Sequence, residues 1–233
     1  VLDEIPNAFI GENNKIVLTS GLLKHIQSPE ALFGVIAHEI GHIKMFHLIK
    51  RKEERKDIQI FDQVSSLAAI TTAILSNNPE IFLQSSIISK TNLQNYYSAF
   101  NKDQEREADL FAIQRLNELN ISTQGMAEFL HYLEKEFYKK GLSKDNFIFA
   151  THPSYDDRLN MIESFANNKA KNLDQKFHDN FLLIKAKLFG HTENNIDILE
   201  FYLSGDSLNY SKAIILGRKG KLLKAMKIIN ELI

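Results

Sequence analysis

The sequence predicts a mainly helical protein of the α+β class, with a small β-hairpin at its N-terminus and a helical tail at its C-terminus. Three observations support this prediction. Gly and Pro, which interrupt helices, occur only 10 and 4 times in 233 residues. Several segments repeat apolar residues at helical spacing, and a helix-start signal precedes the longest of them. A strand-like pattern broken by turn residues occupies residues 5–19.

The composition is that of an ordinary globular protein and excludes several classes. Hydrophobic residues make up 44% and charged residues 24%, which argues against a disordered or collagenous chain. The 28 Lys and Arg residues against 29 Asp and Glu residues give a net charge of −1, which argues against a nucleic-acid-binding protein. Because Cys is absent, a metal here must be held by His and carboxylate side chains.

The first predicted element is a hairpin over residues 5–19. Two apolar runs flank Asn13-Asn14, and Asn tolerates the positive φ that a tight turn requires. We expect a short helix around Leu22 and Leu23 directly after the second strand.

A long helix is predicted to begin after Ser28. Ser at the N-cap, followed by Pro29 and Glu30, is typical of a helix start, and we expect this helix to run to about residue 54. The later elements are predicted as helix-like segments at 58–75 and 79–89, a polar loop at 90–101, helices at about 103–118 and 123–140, a break at 151–154 and a helix at about 155–169.

The C-terminal part has the pattern of shorter helices joined by Gly-containing turns. We therefore divide the chain into a domain at residues 1–170 and a helical tail at residues 171–233. Small and large residues in the tail follow the spacing of one tetratricopeptide unit, although any closely packed helix pair would look similar. These residues are Ala213, Gly220 and Ala225, with Leu216 and Ile229 at the large positions. We expect the repeat array to continue beyond residue 233.

No membrane span is predicted. A spanning helix needs about 18 or more consecutive apolar residues, and the nearest candidate, Val64 to Leu75, is shorter and contains Ser and Thr. The chain starts at Val1 without Met or a signal-like segment. We therefore expect that something upstream has been removed.

The most informative motif is His38-Glu39-Ile40-Gly41-His42, inside the predicted long helix. Two His residues four positions apart lie on one helix face and can hold one Zn²⁺. Glu39 is tilted toward the same face and can take a proton from metal-bound water and pass it to a leaving amine. The motif predicts a zinc peptidase; the alternative is a buried helix with two hydrogen-bonded structural His residues.

A second motif offers the third protein ligand that a catalytic zinc requires. Glu105 and Asp109 share one face of a predicted helix. One carboxylate can bind zinc while the other accepts a hydrogen bond from a ligand imidazole. Ala108 allows close helix packing, and Glu107 points elsewhere and is expected to be solvated.

With both motifs in place, the chain resembles a family of HExxH-plus-Glu zinc metallopeptidases. This family includes the CaaX prenyl proteases, the HtpX heat-shock membrane proteases and the periplasmic beta-barrel assembly-enhancing protease, and the resemblance is greatest to the last branch. It covers about residues 5–170 in the family's order. The matching segments are Asn7 to Phe9, Ile16 to Leu23, His38 to His42, His47, Glu105 to Asp109 and Thr151 to Arg158.

The resemblance implies a fold and a set of roles. The fold is a zincin-like helical metallopeptidase domain followed by a tetratricopeptide-like tail. By the resemblance, His38, His42 and Glu105 bind one Zn²⁺ per chain, Glu39 is the general base, and Asp109 supports a ligand imidazole.

Three further side chains leave alternatives open. His47 lies five positions after His42, about 140° away around a continuous helix, so it is expected to be structural or exposed rather than on the zinc face. His152 is either a loop residue or, as in the assembly-enhancing branch, a fourth ligand that blocks the zinc. Arg158 either stabilises an oxyanion or pairs with a carboxylate.

Two segments also have two interpretations. The strand at 15–19 is either an exposed edge that captures an extended substrate or an ordinary buried strand. The apolar region at 64–89 is either a pair of helices that covers the active site or a membrane-surface contact.

We therefore expect a zinc endopeptidase that cleaves protein substrates. The resemblance implies a periplasmic location, envelope protein quality control and contact between the tail and the outer-membrane assembly machinery. A cytoplasmic or membrane-peripheral location is the alternative. The rival function is a latent or chaperone-like binding protein whose zinc is blocked by His152. No nucleic-acid partner is expected.

Overall fold

The computed structural model describes residues 2, 4, 6–47, 50, 102–139, 155–167 and 169–232. Over these residues the protein is mainly helical, with a two-stranded antiparallel sheet near the N-terminus, which confirms the predicted mainly helical class with an N-terminal hairpin. The predicted elements at 58–75, 79–89, 90–101 and 151–154 lie outside the described residues. Among the residues that are described, no helix has both the length and the apolar character needed to cross a membrane.

The N-terminal hairpin has the predicted strands and turn. Strand β1 (Ala8–Ile10) pairs antiparallel with strand β2 (Ile16–Leu18), in a register that places Ala8 opposite Leu18. The residues Asn13-Asn14 have φ angles of 59° and 56°, which lie in the left-handed region that Asn tolerates better than most residues. The prediction of this turn from its Asn pair is confirmed.

Two helices follow the hairpin. Helix α1 (Ser20–His25) leads into helix α2 (Pro29–Lys44), and α2 begins as predicted because the Ser28 hydroxyl oxygen accepts a hydrogen bond from the backbone N–H of Ala31 at 3.1 Å. The end of α2 differs from the prediction. Phe46 adopts a φ of 58°, which turns the chain away from the helix axis. The predicted continuous helix is therefore wrong at residues 45 and 46, where it is interrupted; residues 47 and 50 are again helical, and residues 51–54 lie outside the described residues.

The next helices are α3 (102–118), α4 (Gln124–Lys139) and α5 (Tyr155–Ser164). Helix α5 ends before the predicted residue 169, because the following chain pairs with the loop between α3 and α4. The Ser122 N–H donates to the Lys171 carbonyl, and the Lys171 N–H donates to the carbonyl of residue 120, each at 3.0 Å.

Apolar clusters on two sides hold these elements together. One lies among α3, α4 and α5 and has as its buried members Ala112, Ile113, Leu116, Ile121, Met126, Leu130, Leu159, Met161 and Ile162. The other lies under the hairpin and includes Ala8, Leu22, Ile26, Ala31, Phe129 and Phe181. Helix α4 contributes to both clusters, so it ties the hairpin and α2 to the helices behind them.

The tail consists of α6 (Gln175–Thr192), a short 3-10 helix (Asp197–Phe201), α7 (Gly205–Arg218) and α8 (Leu222–Leu232). It has an apolar cluster of its own, made of Ala186, Phe189, Leu199, Leu203 and Ile215. Helix α6 connects this cluster to the first part of the chain, because Phe181 is buried under the hairpin. The domain boundary at residue 170 stays a prediction.

The residues that suggested a tetratricopeptide unit lie on α7, on α8 and in the turn between them. Ala213 is buried in α7 and Ala225 is half-buried in α8. Gly220 lies in the turn with a φ of 73°, where a side chain would be strained. A helix–turn–helix pair is therefore present, and its assignment as a tetratricopeptide unit stays a prediction.

Candidate metal centre

Helix α2 carries three buried polar side chains on one turn. His38, Glu39 and His42 are only 4%, 2% and 3% exposed. The Nε2 atoms of the two imidazoles lie 3.0 Å apart, so both rings point at the same place. This is the arrangement that two His residues at positions i and i+4 of a helix produce.

Helix α3 approaches α2 closely at the level of these imidazoles. A Cβ atom added to Gly41 would lie 3.0 Å from the Cα and 3.1 Å from the carbonyl oxygen of Ala108. Such a separation is shorter than an ordinary van der Waals contact, so the approach depends on the absence of a side chain at Gly41. The predicted role of Ala108 in close packing agrees with this contact.

The close approach brings Glu105 between the two imidazoles. Its carboxylate oxygens lie 3.3 Å from the Nε2 atom of His38 and 3.3 Å from that of His42. Glu105 is completely buried, and the three potential ligand atoms all lie within 4.8 Å of one another. Tetrahedral ligands at about 2.0–2.1 Å from a Zn²⁺ ion are separated by about 3.3 Å. The spacing of this group therefore fits a tetrahedral metal.

Asp109, one turn after Glu105, holds the outer nitrogen of His38. The Asp109 Oδ1 atom lies 2.7 Å from His38 Nδ1, and Asp109 is completely buried. Burial alone would raise the pKa of this carboxyl group, but the neighbouring Arg158 guanidinium and His38 lower the pKa. Burial likewise opposes charge on His38, but the Asp109 carboxylate outweighs it and raises the pKa of His38 to about 9. The His38–Asp109 pair therefore favours ionised Asp109.

Arg158, on α5, pairs with Glu105 and Asp109, the two carboxylates of α3 that lie at the centre. Its Nε atom donates to Asp109 Oδ2 at 2.6 Å and one terminal nitrogen donates to Asp109 Oδ1 at 2.8 Å. The other terminal nitrogen lies 3.4 Å from a carboxylate oxygen of Glu105. Of the two predicted roles for Arg158, these contacts are the ones expected of carboxylate pairing.

His47 lies close to the centre, which the sequence analysis did not anticipate. It is completely buried, with its Nδ1 atom 2.8 Å from the Nδ1 atom of His42. Its Nε2 atom lies 2.9 Å from an oxygen of Glu107, whose side chain is about half exposed. Glu107 is partly exposed to solvent, as expected, but its carboxylate also contacts His47. The turn at Phe46 is what directs His47 back toward His42.

An apolar pocket lies beside His38 and Glu39. Helices α1, α2 and α4 and the start of the hairpin form its walls, and Arg158 also lines it. Its apolar lining includes Ala8, Leu22, Val35, Met126, Phe129 and Leu133. The hairpin contributes residues from β1 and the segment before it, rather than from the strand at 15–19 that was considered as a substrate edge.

The structure thus brings together six of the seven residues to which the sequence analysis gave a candidate role at the zinc site. His38, Glu39, His42, Glu105, Asp109 and Arg158 lie in one buried cluster. The seventh, His152, lies outside the described residues. The sequence analysis missed the contact of His47 with His42, because a continuous helix would have placed His47 on another face.

Comparison with known proteins gives a consistent family match. The family described as Peptidase family M48 matches residues 1–166. The "Beta-barrel assembly-enhancing protease" of Escherichia coli (strain K12) is 27% identical over 242 residues, covering 99% of this chain and 48% of that protein. The protein of the same name from Yersinia pestis is 26% identical over 97% of this chain and 48% of its own length. "Metalloprotease YcaL" of Escherichia coli (strain K12) is 26% identical over 52% of this chain and 44% of its own length. The chain thus spans about half the length of these curated relatives.

Proposed function

Since this chain belongs to peptidase family M48, we propose that it is a zinc-dependent endopeptidase that hydrolyses peptide bonds in protein substrates. The observation that carries the proposal is the spacing of His38, His42 and Glu105, whose ligand atoms lie within 4.8 Å of one another in a buried site. Two imidazoles and one carboxylate are a common ligand set of catalytic zinc.

In this proposal His38, His42 and Glu105 hold one Zn²⁺ per chain. When bound, the ion supplies Lewis-acid chemistry, which polarises a carbonyl group and makes water more acidic. Asp109 orients His38 by accepting a hydrogen bond from its outer nitrogen, since the two atoms are 2.7 Å apart. Arg158 in turn holds Asp109 through two hydrogen bonds and offsets the negative charge of the two buried carboxylates.

Glu39 is the general base in this proposal. Its buried carboxylate lies next to His38 at the wall of the apolar pocket. It takes a proton from the attacking water as the water oxygen bonds to the carbonyl carbon of the substrate. The same carboxyl group then gives that proton to the amine nitrogen as the C–N bond breaks. Glu39 thus returns to its ionised form at the end of each cycle.

The pocket beside Glu39 gives the substrate a place for one apolar side chain. Its lining is apolar on the side of α4 and charged only near Glu39 and Arg158. An apolar side chain that enters it loses contact with water, which favours binding by about 25 cal/mol per Å² of surface buried. We therefore propose that the peptidase prefers an apolar residue next to the bond that it cleaves.

We further propose an envelope setting. The name of the E. coli relative, beta-barrel assembly-enhancing protease, links a protein that matches 99% of this chain to the assembly of β-barrels. By analogy, the chain acts in the periplasm on misassembled outer-membrane proteins, and its tail contacts the assembly machinery. The near-balanced charge of the chain argues against a nucleic-acid partner.

The alternative, a latent or chaperone-like protein whose zinc is blocked, depends on His152, which lies outside the described residues. The curated relatives are named as proteases, which favours the enzyme.

The experiment is casein degradation with zinc content measured on each variant. Glu39→Gln keeps the shape of the side chain but removes its basicity, so we expect about one zinc per chain and proteolysis reduced by about 10²-fold or more. Glu118→Gln, at an exposed position of α3, is the matched control and should cleave at the wild-type rate. Wild-type rates of casein cleavage in Glu39→Gln would refute the assigned base. His38→Ala should lose most of the metal, and unchanged zinc content would refute the ligand set.

A further inference from the structure

A chain of hydrogen-bonding groups leads from the metal centre to the protein surface. His42 Nδ1 lies 2.8 Å from His47 Nδ1, and His47 Nε2 lies 2.9 Å from Glu107 Oε2. His47 is completely buried, whereas the Glu107 side chain is 51% exposed. The partner of His42 is therefore another imidazole, whereas the partner of His38 is the carboxylate of Asp109.

The proton positions along this chain follow from the direction in which His42 points. Its Nε2 atom faces Glu105 and the Nε2 atom of His38, so a metal there requires that this nitrogen carries no proton. A neutral His42 then carries its proton on Nδ1 and donates to His47 Nδ1. His47 has its own proton on Nε2 and donates to Glu107. The hydrogen bonds thus run in one direction, from His42 through His47 to Glu107.

We propose that His47 is a positioning residue that fixes the ring orientation and the tautomer of the metal ligand His42, with Glu107 fixing the tautomer of His47. The inference rests on the proposed function, in which zinc binds His42 through Nε2. A hydrogen-bond partner of this kind typically accounts for about 10- to 100-fold of metal affinity. His47 touches neither substrate nor metal and acts through His42.

Two substitutions separate the hydrogen bond to His42 from the volume of the side chain. In His47→Asn, the amide oxygen replaces the acceptor at the Nδ1 position and can still receive the proton of His42. In His47→Gln, the longer side chain places its amide near the Nε2 position, so contact with Glu107 is kept and the acceptor for His42 is lost. We expect the zinc dissociation constant to rise about 10- to 100-fold in His47→Gln and by less than about threefold in His47→Asn.

The measurement is zinc affinity by competition with a chromophoric chelator, with folding of the metal-free variants checked by circular dichroism. Equal affinity in wild type and both variants would overturn the positioning role. Equal weakening in both variants would also overturn it, because the effect would then follow the loss of the ring rather than of the acceptor. If a His47 variant does not fold, Glu107→Ala carries the test, since its side chain is half exposed. That variant should weaken zinc binding about three- to tenfold, and an unchanged dissociation constant would overturn the inference.

The same titrations keep the inference distinct from the proposed function. Wild-type protein that binds no zinc, or His38→Ala protein that binds it normally, would contradict the proposed metal site itself. Tight binding by wild type together with unaltered binding by His47→Gln would contradict only the role of His47.

Discussion

Gly41→Ala tests whether the contact between α2 and α3 positions the third metal ligand. The new Cβ atom would lie 3.0 Å from the Cα of Ala108 and 3.3 Å from the Cβ of Phe111. Carbon atoms prefer a separation of about 3.5–4.0 Å, so the helices must move apart by about 0.5 Å. Backbone atoms form the closest part of this contact, and they cannot relieve it by a change of side-chain rotamer.

The expected magnitude differs between stability and metal binding. Ala is more favourable than Gly in a helix interior by about 1 kcal/mol, whereas overpacking costs about 1–3 kcal/mol. The free energy of unfolding of the metal-free protein should therefore fall by at most about 2 kcal/mol. Ala108 lies between Glu105 and Asp109, so a shift of α3 carries Glu105 away from the imidazoles. Metal sites tolerate about 0.2 Å of error in ligand distances, and we expect zinc affinity to fall about tenfold or more.

The assay combines urea unfolding of the metal-free protein with zinc competition. Gly217→Ala, in α7, is the control, because a Cβ atom there meets no described atom within 4 Å. It should raise the unfolding free energy by about 0.5 kcal/mol and leave zinc affinity unchanged. If Gly41→Ala binds zinc as tightly as wild type, the close approach at Gly41 does not position Glu105, and the reasoning is refuted.

Three further predictions follow from other parts of the molecule. Burial lowers the pKa of Lys185 from 10.5 to about 8. Between pH 8 and pH 10.5 the unfolded chain therefore binds more protons than the folded chain. The contribution of Lys185 to the free energy of unfolding rises with pH over that window. Urea unfolding should show wild type gaining about 2 kcal/mol relative to Lys185→Met between pH 7.5 and pH 10, and equal pH dependence would contradict the shift. Leu133→Ala enlarges the apolar pocket. For peptides with a large aromatic residue at the cleavage site, kcat/KM should rise about tenfold relative to peptides with leucine there. An unchanged preference between the two peptides would exclude the pocket as the specificity site. His152→Ala should raise basal casein cleavage with zinc retained if this residue blocks the metal, and lower cleavage with zinc retained would contradict latency.

Local signals in the sequence were sufficient for much of the fold and most of the candidate site. Ser28 and Pro29 predicted the start of α2, because a cap and a preset φ act within one turn. The HExxH spacing predicted which atoms of α2 converge, since a helix places positions i and i+4 on one face. The end of α2 could not be predicted in this way. The segment after Lys44 contains neither Gly nor Pro, and the positive φ of Phe46 is a conformation that an aromatic residue rarely adopts.

The turn at Phe46 is better explained by tertiary contacts than by local propensity. A left-handed conformation costs a non-glycine residue about 1–2 kcal/mol, so surrounding contacts must favour it. The turn places His47 in full burial, with one nitrogen on His42 and the other on Glu107. Helical periodicity correctly placed Glu107 on the exposed side of α3, but it could not indicate that His47 contacts Glu107 there. Periodicity predicts the face on which a residue lies, whereas the contacts on that face depend on where the next segment of chain turns.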